Sequence, residues 1–202
     1  MILHNFTLFF LKKIHAQEYM SDDEYANVCY TVESFLINIT KTFQVYLLAT
    51  ILGVAKETFF MHLPYMLLRR YAGGWHAKTS LSCSIFSIFV FVGIPLSITG
   101  FSQPLSPIIN FSMAAISLWI VWRYAPADTE KNPLFDKRER DIRRFKSIAM
   151  ILLILAIAFI IKSSLVQSLI LIGLLIESIM ISPLFYKLTK RSYRNYEKYS
   201  AQ

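Results

Sequence analysis

The residues best suited to covalent chemistry lie in one polar stretch of an otherwise apolar chain, residues 69 to 83. His76 supplies an imidazole and Cys83 supplies a thiol seven positions later. An imidazole can take the proton of a thiol and so activate the sulfur, provided that the two groups come within about 3 Å. On one unbroken helix seven residues span about 10.5 Å, so the chain must fold back between the two side chains. Gly73 and Gly74 favour such a loop.

The residues after this loop are suited to starting a helix. Thr79 or Ser80 is a preferred helix cap, which would place Cys83 in the first helical turn. The positive end of the helix dipole favours a thiolate there. A single Cys in an apolar helix is more often inert, and a His beside an Arg pair is more often an interfacial side chain. Spacing alone therefore leaves both interpretations open.

Three stretches of the sequence match the pattern of a known family. The most specific is LRRYAGGWHAKTSLSC at residues 68 to 83. The second is YAPADT at residues 124 to 129, followed by Asn-Pro-Leu at 132 to 134, and the third is YTVE at residues 30 to 33, where Thr31 replaces the usual Gly. Together they resemble the accessory gene regulator B family, integral membrane cysteine endopeptidases that process quorum-sensing peptide precursors.

The resemblance implies a reaction and a catalytic pair. His76 and Cys83 would cleave an autoinducer precursor peptide at the cytoplasmic face through an acyl-enzyme thioester. A thiol or hydroxyl of the precursor would then capture the acyl group and close a thiolactone or lactone signal. We expect Glu33 to orient the imidazole, as a carboxylate does in catalytic triads. The alternative for Glu33 is a solvated interfacial side chain.

Basic residues are the candidates for binding the precursor, because a guanidinium can hold a carboxylate through two hydrogen bonds. The acidic carboxyl-terminal part of the precursor would be their ligand. Membrane topology explains the same charges equally well. The expected substrate-binding residues are Arg69, Arg70, Gly74, Lys131, Arg138 and Arg140.

Composition indicates a polytopic membrane protein. The 202 residues are 55% hydrophobic, and the mean hydropathy is +0.46. The net charge of +8 comes from 21 basic and 13 acidic residues, but the basic residues lie between and after the apolar runs. They are therefore interpreted as topology signals and contacts with membrane lipids, and no nucleic-acid partner is expected. Two Cys and no zinc-type spacing predict neither disulfides, metal nor cofactor.

The predicted fold is all-α, with about six transmembrane helices in one domain over residues 1–202. Ser21 and Glu24 form a capping-box pattern, so a helix should start near Asp22. An amphipathic helix in residues 1–20 would lie at the membrane interface, and residues 187–202 would form a basic cytoplasmic tail. The charge of the loop from Arg123 to Lys146 places both termini in the cytoplasm of a multi-pass cell-membrane protein. The spans are residues 43–54, 58–68, 81–99, 108–122, 147–161 and 165–186.

A few residues and alternatives remain. Glu177 lies inside the last apolar run, so it should pair with a Lys or Arg in the bundle. No partner is evident for Cys29, His4, His15 or His62. A second copy of the chain, in a homodimer, is a further candidate partner. The competing function is a peptide transporter or structural membrane subunit without protease activity, although no nucleotide-binding motif or inverted repeat supports it.

Overall fold

The structure is a computed structural model that describes residues 2–15, 17, 19–75, 79–100, 105–129 and 133–199. The elements assigned in these residues are helices, which confirms the predicted all-α class. In chain order they are α1 (Ile2–Lys13), α2 (Asp22–Ile51), α3 (Ala55–Ala72), α4 (Ser80–Ile88), a π-helical segment (Phe89–Gly93), α5 (Ile94–Gly100), α6 (Pro107–Tyr124), α7 (Lys137–Ile160), α8 (Ser164–Met180), α9 (Pro183–Leu188) and α10 (Asn195–Tyr199).

The start of α2 follows the predicted capping box. The Ser21 hydroxyl accepts from the backbone N–H of Glu24 at 3.4 Å, and the Glu24 carboxylate accepts from the N–H of Ser21 at 2.9 Å. These two bonds satisfy donors that the first helical turn leaves unpaired. The helix ends at Ile51, and Gly53, with φ 74°, turns the chain back into α3.

The segments α4, Phe89–Gly93 and α5 form one continuous helix. Its stretch from Leu81 to Gly100 has 20 residues and a mean hydropathy of 2.2, so it is long and apolar enough to cross a membrane. The π-helical turn inside it is stabilised by Thr58 of α3, whose hydroxyl donates to the carbonyl of Phe91 at 2.7 Å. Within the described residues no other helix meets the same length and apolarity. The count of six spans stays a prediction.

Two predicted boundaries are wrong. The basic segment before residue 147 is not all loop, because Asp136 accepts from the N–H of Arg138 and starts α7 at Lys137. The predicted last span is not one helix either. It ends at Met180, and a new helix starts at Pro183 with the hydroxyl of Ser182 as its cap. Proline lacks the N–H that a continuing helix would need, but it fits the first position of a new one.

The helix α3 lies at the centre of the fold. It packs against α7 and α8, and α8 also packs against α6. The contact between α3 and α8 is close because α8 carries Gly173 there: a Cβ on Gly173 would lie 2.1 Å from the carbonyl oxygen of Met61. The largest fully buried side chains of this core include Met61, Leu68, Ile151, Leu171, Leu174 and Ile181. This packing fixes the end of α3 at which the polar stretch begins.

Candidate functional site

A cavity of about 450 Å³ lies between α2, α3 and α4, and the segment after α6 closes one side of it. Its lining combines basic, apolar and aromatic side chains with the thiol of Cys83. The lining residues are Asn38, Lys41, Thr42, Val45, His62, Tyr65, Met66, Arg69, Arg70, Gly73, Gly74, Cys83, Ser87, Phe91, Ala127, Asp128, Thr129, Leu134 and Arg143.

Cys83 lies in the first turn of α4, as predicted. Thr79 is the cap: its side chain accepts from the N–H of Ser82 at 3.2 Å. The N–H of Cys83 donates to the carbonyl of Thr79 at 3.2 Å, which closes the first turn. Cys83 is half-buried and carries no disulfide. The cap therefore places Cys83 at the amino end of a helix.

Opposite sides of this helix meet different surroundings. Cys83, Ser87 and Phe91 line the cavity at a spacing of four residues. Leu81, Ile85 and Phe89, at the same spacing, are 71%, 60% and 72% exposed. Side chains four positions apart lie on one side of a helix. The helix therefore presents its thiol to the cavity and an apolar surface to its outside.

His76 and Lys131 lie outside the described residues, but the residue before His76 is well anchored. The N–H of Trp75 donates to the carbonyl of Met180 at 3.3 Å. Its own carbonyl accepts from Nη2 of Arg69 at 2.6 Å. The indole ring contacts Phe185 of α9 and Phe86 of α4 edge-on, with centroids 5.4 and 5.6 Å apart. Contacts from α3, α8 and α9, and from α4, which carries Cys83, thus hold Trp75 in place directly before His76.

Arg69 forms an ion pair with Glu177, which confirms that Glu177 has a basic partner. The Nη1 atom of Arg69 lies 3.1 Å from Oε2 of Glu177, a side chain with no exposed surface. The guanidinium also lies over the ring of Tyr65, 5.5 Å from its centroid. The second oxygen of Glu177, Oε1, has no hydrogen-bond partner among the described residues. Arg69 therefore lines the cavity while its Nη1 binds Glu177 and its Nη2 binds the carbonyl of Trp75.

The two glycines after α3 permit close backbone contacts. Gly73 has φ 72° and forms a bridge with Ala127, and a Cβ on Gly73 would lie 2.2 Å from the Ala127 carbonyl oxygen. Gly74 has φ 129°, and its Cβ would lie 3.2 Å from both Arg69 Nη1 and Glu177 Oε1. Residues that have a side chain rarely adopt such a positive φ. Gly74 thus leaves room for the ion pair beside the cavity.

The other predicted binding residues differ in their surroundings. Arg70 is exposed and lies beside the ring of Tyr71, 6.0 Å from the centroid. Arg138 has an exposed side chain. Arg140 binds the carbonyls of Leu134 and Phe135, each at 2.7 Å, and stacks over Tyr196. The structure thus brings Arg69, Arg70 and Gly74 to the cavity, while Arg138 and Arg140 are not among its described lining residues.

Glu33 is also not among the described residues that line the cavity. It lies on α2 together with the lining residues Asn38, Lys41 and Thr42. At about 100° per residue, Glu33 is rotated about 140° from Asn38 and about 80° from Lys41 around the helix axis. Glu33 is half-buried and takes part in an interaction of its own.

Asp128, which sequence reasoning passed over, connects the cavity to the end of the chain. It is 3% exposed, and its Oδ1 accepts from the backbone N–H and the side-chain amide of Asn195 at 2.9 and 3.3 Å. Its Oδ2 accepts from the N–H of Tyr196 at 3.0 Å, and its carbonyl accepts from the hydroxyl of Tyr186 at 2.8 Å. Burial of the nearby Tyr193 raises the pKa of its hydroxyl above the usual value. The basic tail therefore binds to the wall of the cavity.

His62 is a second residue to which the sequence analysis gave no role. It lines the cavity, is 6% exposed, and contacts the rings of Tyr46, Tyr65 and Phe91. Its Nδ1 atom has no hydrogen-bond partner among the described residues. The available signal was its position seven residues before Arg69, on the same side of α3.

Comparison with known proteins gives one consistent family. The sequence model of Accessory gene regulator B matches residues 8–181. A putative AgrB-like protein of Listeria monocytogenes serotype 4a (strain HCC23) is 39% identical over 180 residues, which cover 88% of this chain and 87% of that protein. A putative AgrB-like protein of Clostridium acetobutylicum is 34% identical over 83% of this chain and 79% of its own length.

The third relative carries the full family name. Accessory gene regulator protein B of Staphylococcus intermedius is 31% identical over 173 residues, which cover 86% of this chain and 90% of that protein. No solved structure matches the chain.

Proposed function

Because the chain belongs to the accessory gene regulator B family, we propose that it is a membrane-embedded cysteine endopeptidase that cleaves an autoinducer precursor peptide at the cytoplasmic face. The observation that supports this most is the position of Cys83. Cys83 is half-buried, lies at the amino end of α4 and lines a cavity together with Arg69 and Arg70. A cavity of this kind is the usual setting for a peptide substrate and a nucleophile.

In the proposed mechanism His76 takes the proton of the Cys83 thiol, and the sulfur attacks the scissile carbonyl. The tetrahedral intermediate then breaks its C–N bond. His76 returns the proton to the departing amine, and the acyl group stays on Cys83 as a thioester. A thiol or hydroxyl of the precursor attacks this thioester, which forms the thiolactone or lactone and releases the Cys83 thiol.

The other binding roles belong to the same proposal. The exposed guanidinium of Arg70 and the basic residues Lys131, Arg138 and Arg140 would bind the acidic end of the precursor. Arg69 and Gly74 would shape the site beside Cys83, where their contacts keep the chain before His76 in place. Glu33 stays a predicted orienting residue. Comparing the rate of precursor cleavage by Glu33→Gln with that of the wild type tests this role.

Cleavage in membranes tests the catalytic pair. The substrate in this assay is a small peptide with a central Cys or Ser and an acidic carboxyl end. Cys83→Ala and His76→Ala should each abolish cleavage, since each removes a group that takes part in the bond changes. Cys29→Ala is the matched control and should cleave normally. Normal cleavage by Cys83→Ala would exclude the protease and favour the transporter or structural subunit.

The location of the site has its own test. The rule that positive charges stay inside places Arg69, Arg70 and the amino end of α4 in the cytoplasm. Cys29→Ala leaves Cys83 as the single thiol, and a membrane-impermeant maleimide should then label it in inverted vesicles and not in intact cells. Labelling of Cys83 from outside intact cells would contradict the proposed orientation.

A further inference from the structure

The helix α8 contacts both backbone groups of Trp75, the residue directly before His76. The carbonyl of Met180, at the end of α8, accepts from the N–H of Trp75 at 3.3 Å. The carbonyl of Trp75 accepts from Nη2 of Arg69 at 2.6 Å, and Nη1 of the same guanidinium donates to Oε2 of Glu177 at 3.1 Å. One contact with α8 is thus direct, and the other runs through Arg69 to Glu177.

The contact through Arg69 bears on His76 because of the peptide bond that joins Trp75 to His76. A peptide unit is planar, so the C=O of Trp75 and the backbone nitrogen of His76 lie in one plane. A hydrogen bond that fixes the carbonyl therefore also fixes the plane from which the backbone of His76 continues. Arg69 can hold this plane only while the guanidinium itself is held in place.

Glu177 holds the guanidinium in place. Its side chain has no exposed surface, whereas that of Arg69 has 20%. Glu177 belongs to α8, which packs against α3 so closely at Gly173 that a Cβ there would meet the backbone of Met61. The carboxylate therefore has a fixed position in the core. Among the described residues it is the acidic group that pairs with Arg69.

Two other roles for this pair give different expectations. If Arg69 bound a carboxylate of the precursor, its loss would raise KM, but its two terminal nitrogens already bind the protein. The neighbouring Arg70 has an exposed side chain and suits that role better. If the pair only stabilised the core, its loss would reduce the amount of folded protein and leave the rate per folded molecule unchanged.

We propose that Glu177 is a positioning residue for the cleavage reaction: through Arg69 it holds the peptide unit that leads into His76, so that the imidazole meets the thiol of Cys83. This deepens the proposed function and rests on it. Glu177 itself is buried and takes no part in the bond changes. Its loss should lower kcat and leave KM nearly unchanged. Misplacing a catalytic group by about 1 Å can slow a reaction by about a hundredfold.

The first test is Arg69→Lys. Lysine keeps the positive charge that Glu177 needs, but its single nitrogen cannot replace two guanidinium nitrogens that bind at separate places. We expect kcat per folded protein to fall by at least about tenfold, with KM within about threefold of the wild type. A raised KM with normal kcat would assign Arg69 to the precursor, and an unchanged kcat and KM would leave the pair a structural role. Either result would overturn the proposal.

The second test removes both charges at once. Replacing a buried ion pair by apolar side chains is often neutral for stability, so Arg69→Met combined with Glu177→Leu should fold better than Glu177→Leu alone. The carbonyl of Trp75 still lacks its donor in the double variant, so kcat should stay at least about tenfold below the wild type. Recovery of kcat together with folded protein would overturn the proposal.

The third test reads the Cys83 thiol without any precursor. In a Cys29→Ala background, iodoacetamide alkylates Cys83, and the thiolate is the form that reacts. Glu177→Asp shortens the side chain by one methylene and so shifts the guanidinium. It should slow alkylation at neutral pH towards the rate of His76→Ala. An alkylation rate equal to that of the parent would overturn the proposal.

Asn110→Ala is the matched control. Asn110 is buried and contacts the same helix α8, where it bonds to Gln167 at 3.2 Å and Ser168 at 3.0 Å. Its loss should reduce the amount of folded protein but leave alkylation of Cys83 and kcat per folded molecule unchanged. Equal slowing by Asn110→Ala and Glu177→Asp would show a general effect of loosened packing and overturn the specific role of Glu177.

The proposed function fails separately from this inference. It fails if Cys83→Ala still cleaves the precursor. The positioning role alone fails if cleavage needs both Cys83 and His76 while the variants of Arg69 and Glu177 keep the wild-type kcat.

Discussion

At the scale of single residues, Arg69 and Glu177 form a buried ion pair. Glu177 has no exposed side-chain surface, and Arg69 has 20%. Removing one member of a buried ion pair leaves the other charge uncompensated, which costs about 3–5 kcal/mol. Loss of either residue therefore costs more free energy of unfolding than the loss of their single hydrogen bond. It ties Arg69, and through it the carbonyl of Trp75, to the core helix α8.

Gly74 gives a sharp prediction because the chain offers a matched glycine. In Gly74→Ala the new Cβ meets Arg69 Nη1 and Glu177 Oε1 at 3.2 Å, at a φ of 129°. Strain of this kind costs of order 1–3 kcal/mol, so cleavage should fall by about tenfold or more. Gly100→Ala is the control, because a Cβ there meets nothing within 4 Å. The measurement is kcat/KM for precursor cleavage, and equal effects of the two substitutions would contradict the role given to Gly74.

The sequence alone predicted those contacts whose two partners lie close together along the chain. The caps at Ser21 and Thr79 depend on residues three positions apart, so the pattern itself contains both partners. It also predicted that Glu177 needs a cation, because a charge in an apolar helix must be compensated. It could not identify Arg69, which is 108 residues away. Such a pairing exists only once α3 and α8 are packed.

At the scale of elements, the boundaries that were wrong had local signals. Pro183 and the Ser182 cap end the last long helix, and Asp136 starts α7 within the basic segment. Hydropathy alone does not locate these boundaries, because it takes no account of the backbone groups that are capped at helix ends. The attachment of the tail was different. Its anchor is Asp128, 67 residues before Asn195, and no periodicity in the sequence connects them.

The tail attachment leads to the second prediction. Asp128→Ala removes the acceptor of the N–H groups of Asn195 and Tyr196 and one of the two acceptors of the Asn195 side-chain amide. Hydrogen bonds to a charged group contribute about 1.5–3 kcal/mol each. The tail should therefore detach, and limited trypsin should cut it after Lys187 or Lys190 about tenfold faster.

The control is Asp141→Ala, since Asp141 is exposed on α7. It should leave the rate of tail cleavage unchanged. Mass spectrometry of the released fragments in native-like detergent gives the rates. Equal proteolysis of the two variants would show that the tail is attached by other contacts.

At the scale of the whole molecule, its outer surface carries many exposed apolar side chains. Ile108 and Ile160 are each 79% exposed, and Phe111 is 68% exposed. Apolar surface of this extent marks a membrane or partner contact. Eleven of the 21 basic residues lie on the amino-terminal half of α7 and in residues 187–198, here called the basic surface.

The basic surface gives the third prediction. Lys137, Arg138 and Arg144 have exposed side chains. If they attract the acidic end of the precursor, reversing all three to Glu should raise KM by about tenfold or more and change kcat little, because the contact is remote from the reacting bond. One substitution alone should have a small effect, since exposed ion pairs contribute about 0–1 kcal/mol.

The control for this prediction is a precursor with a neutralised end, which parent and triple variant should cleave alike. Added salt should raise the KM of the parent for the acidic precursor and narrow its difference from the variant, because salt screens exposed charges. If the triple variant handles the acidic precursor like the parent, these residues serve membrane topology alone.

The long-range contacts of Trp75 also set an order of events during synthesis. Cys83 and its helix leave the ribosome early, but the chain before His76 is fixed by the carbonyl of Met180 and, through Arg69, by Glu177. A nascent chain that has not reached α8 holds the thiol without the contacts that anchor the loop before it. The surroundings of Cys83 are thus completed late, after nearly the whole chain is made. Chains that end before α8 would therefore lack these contacts beside the site proposed for cleavage.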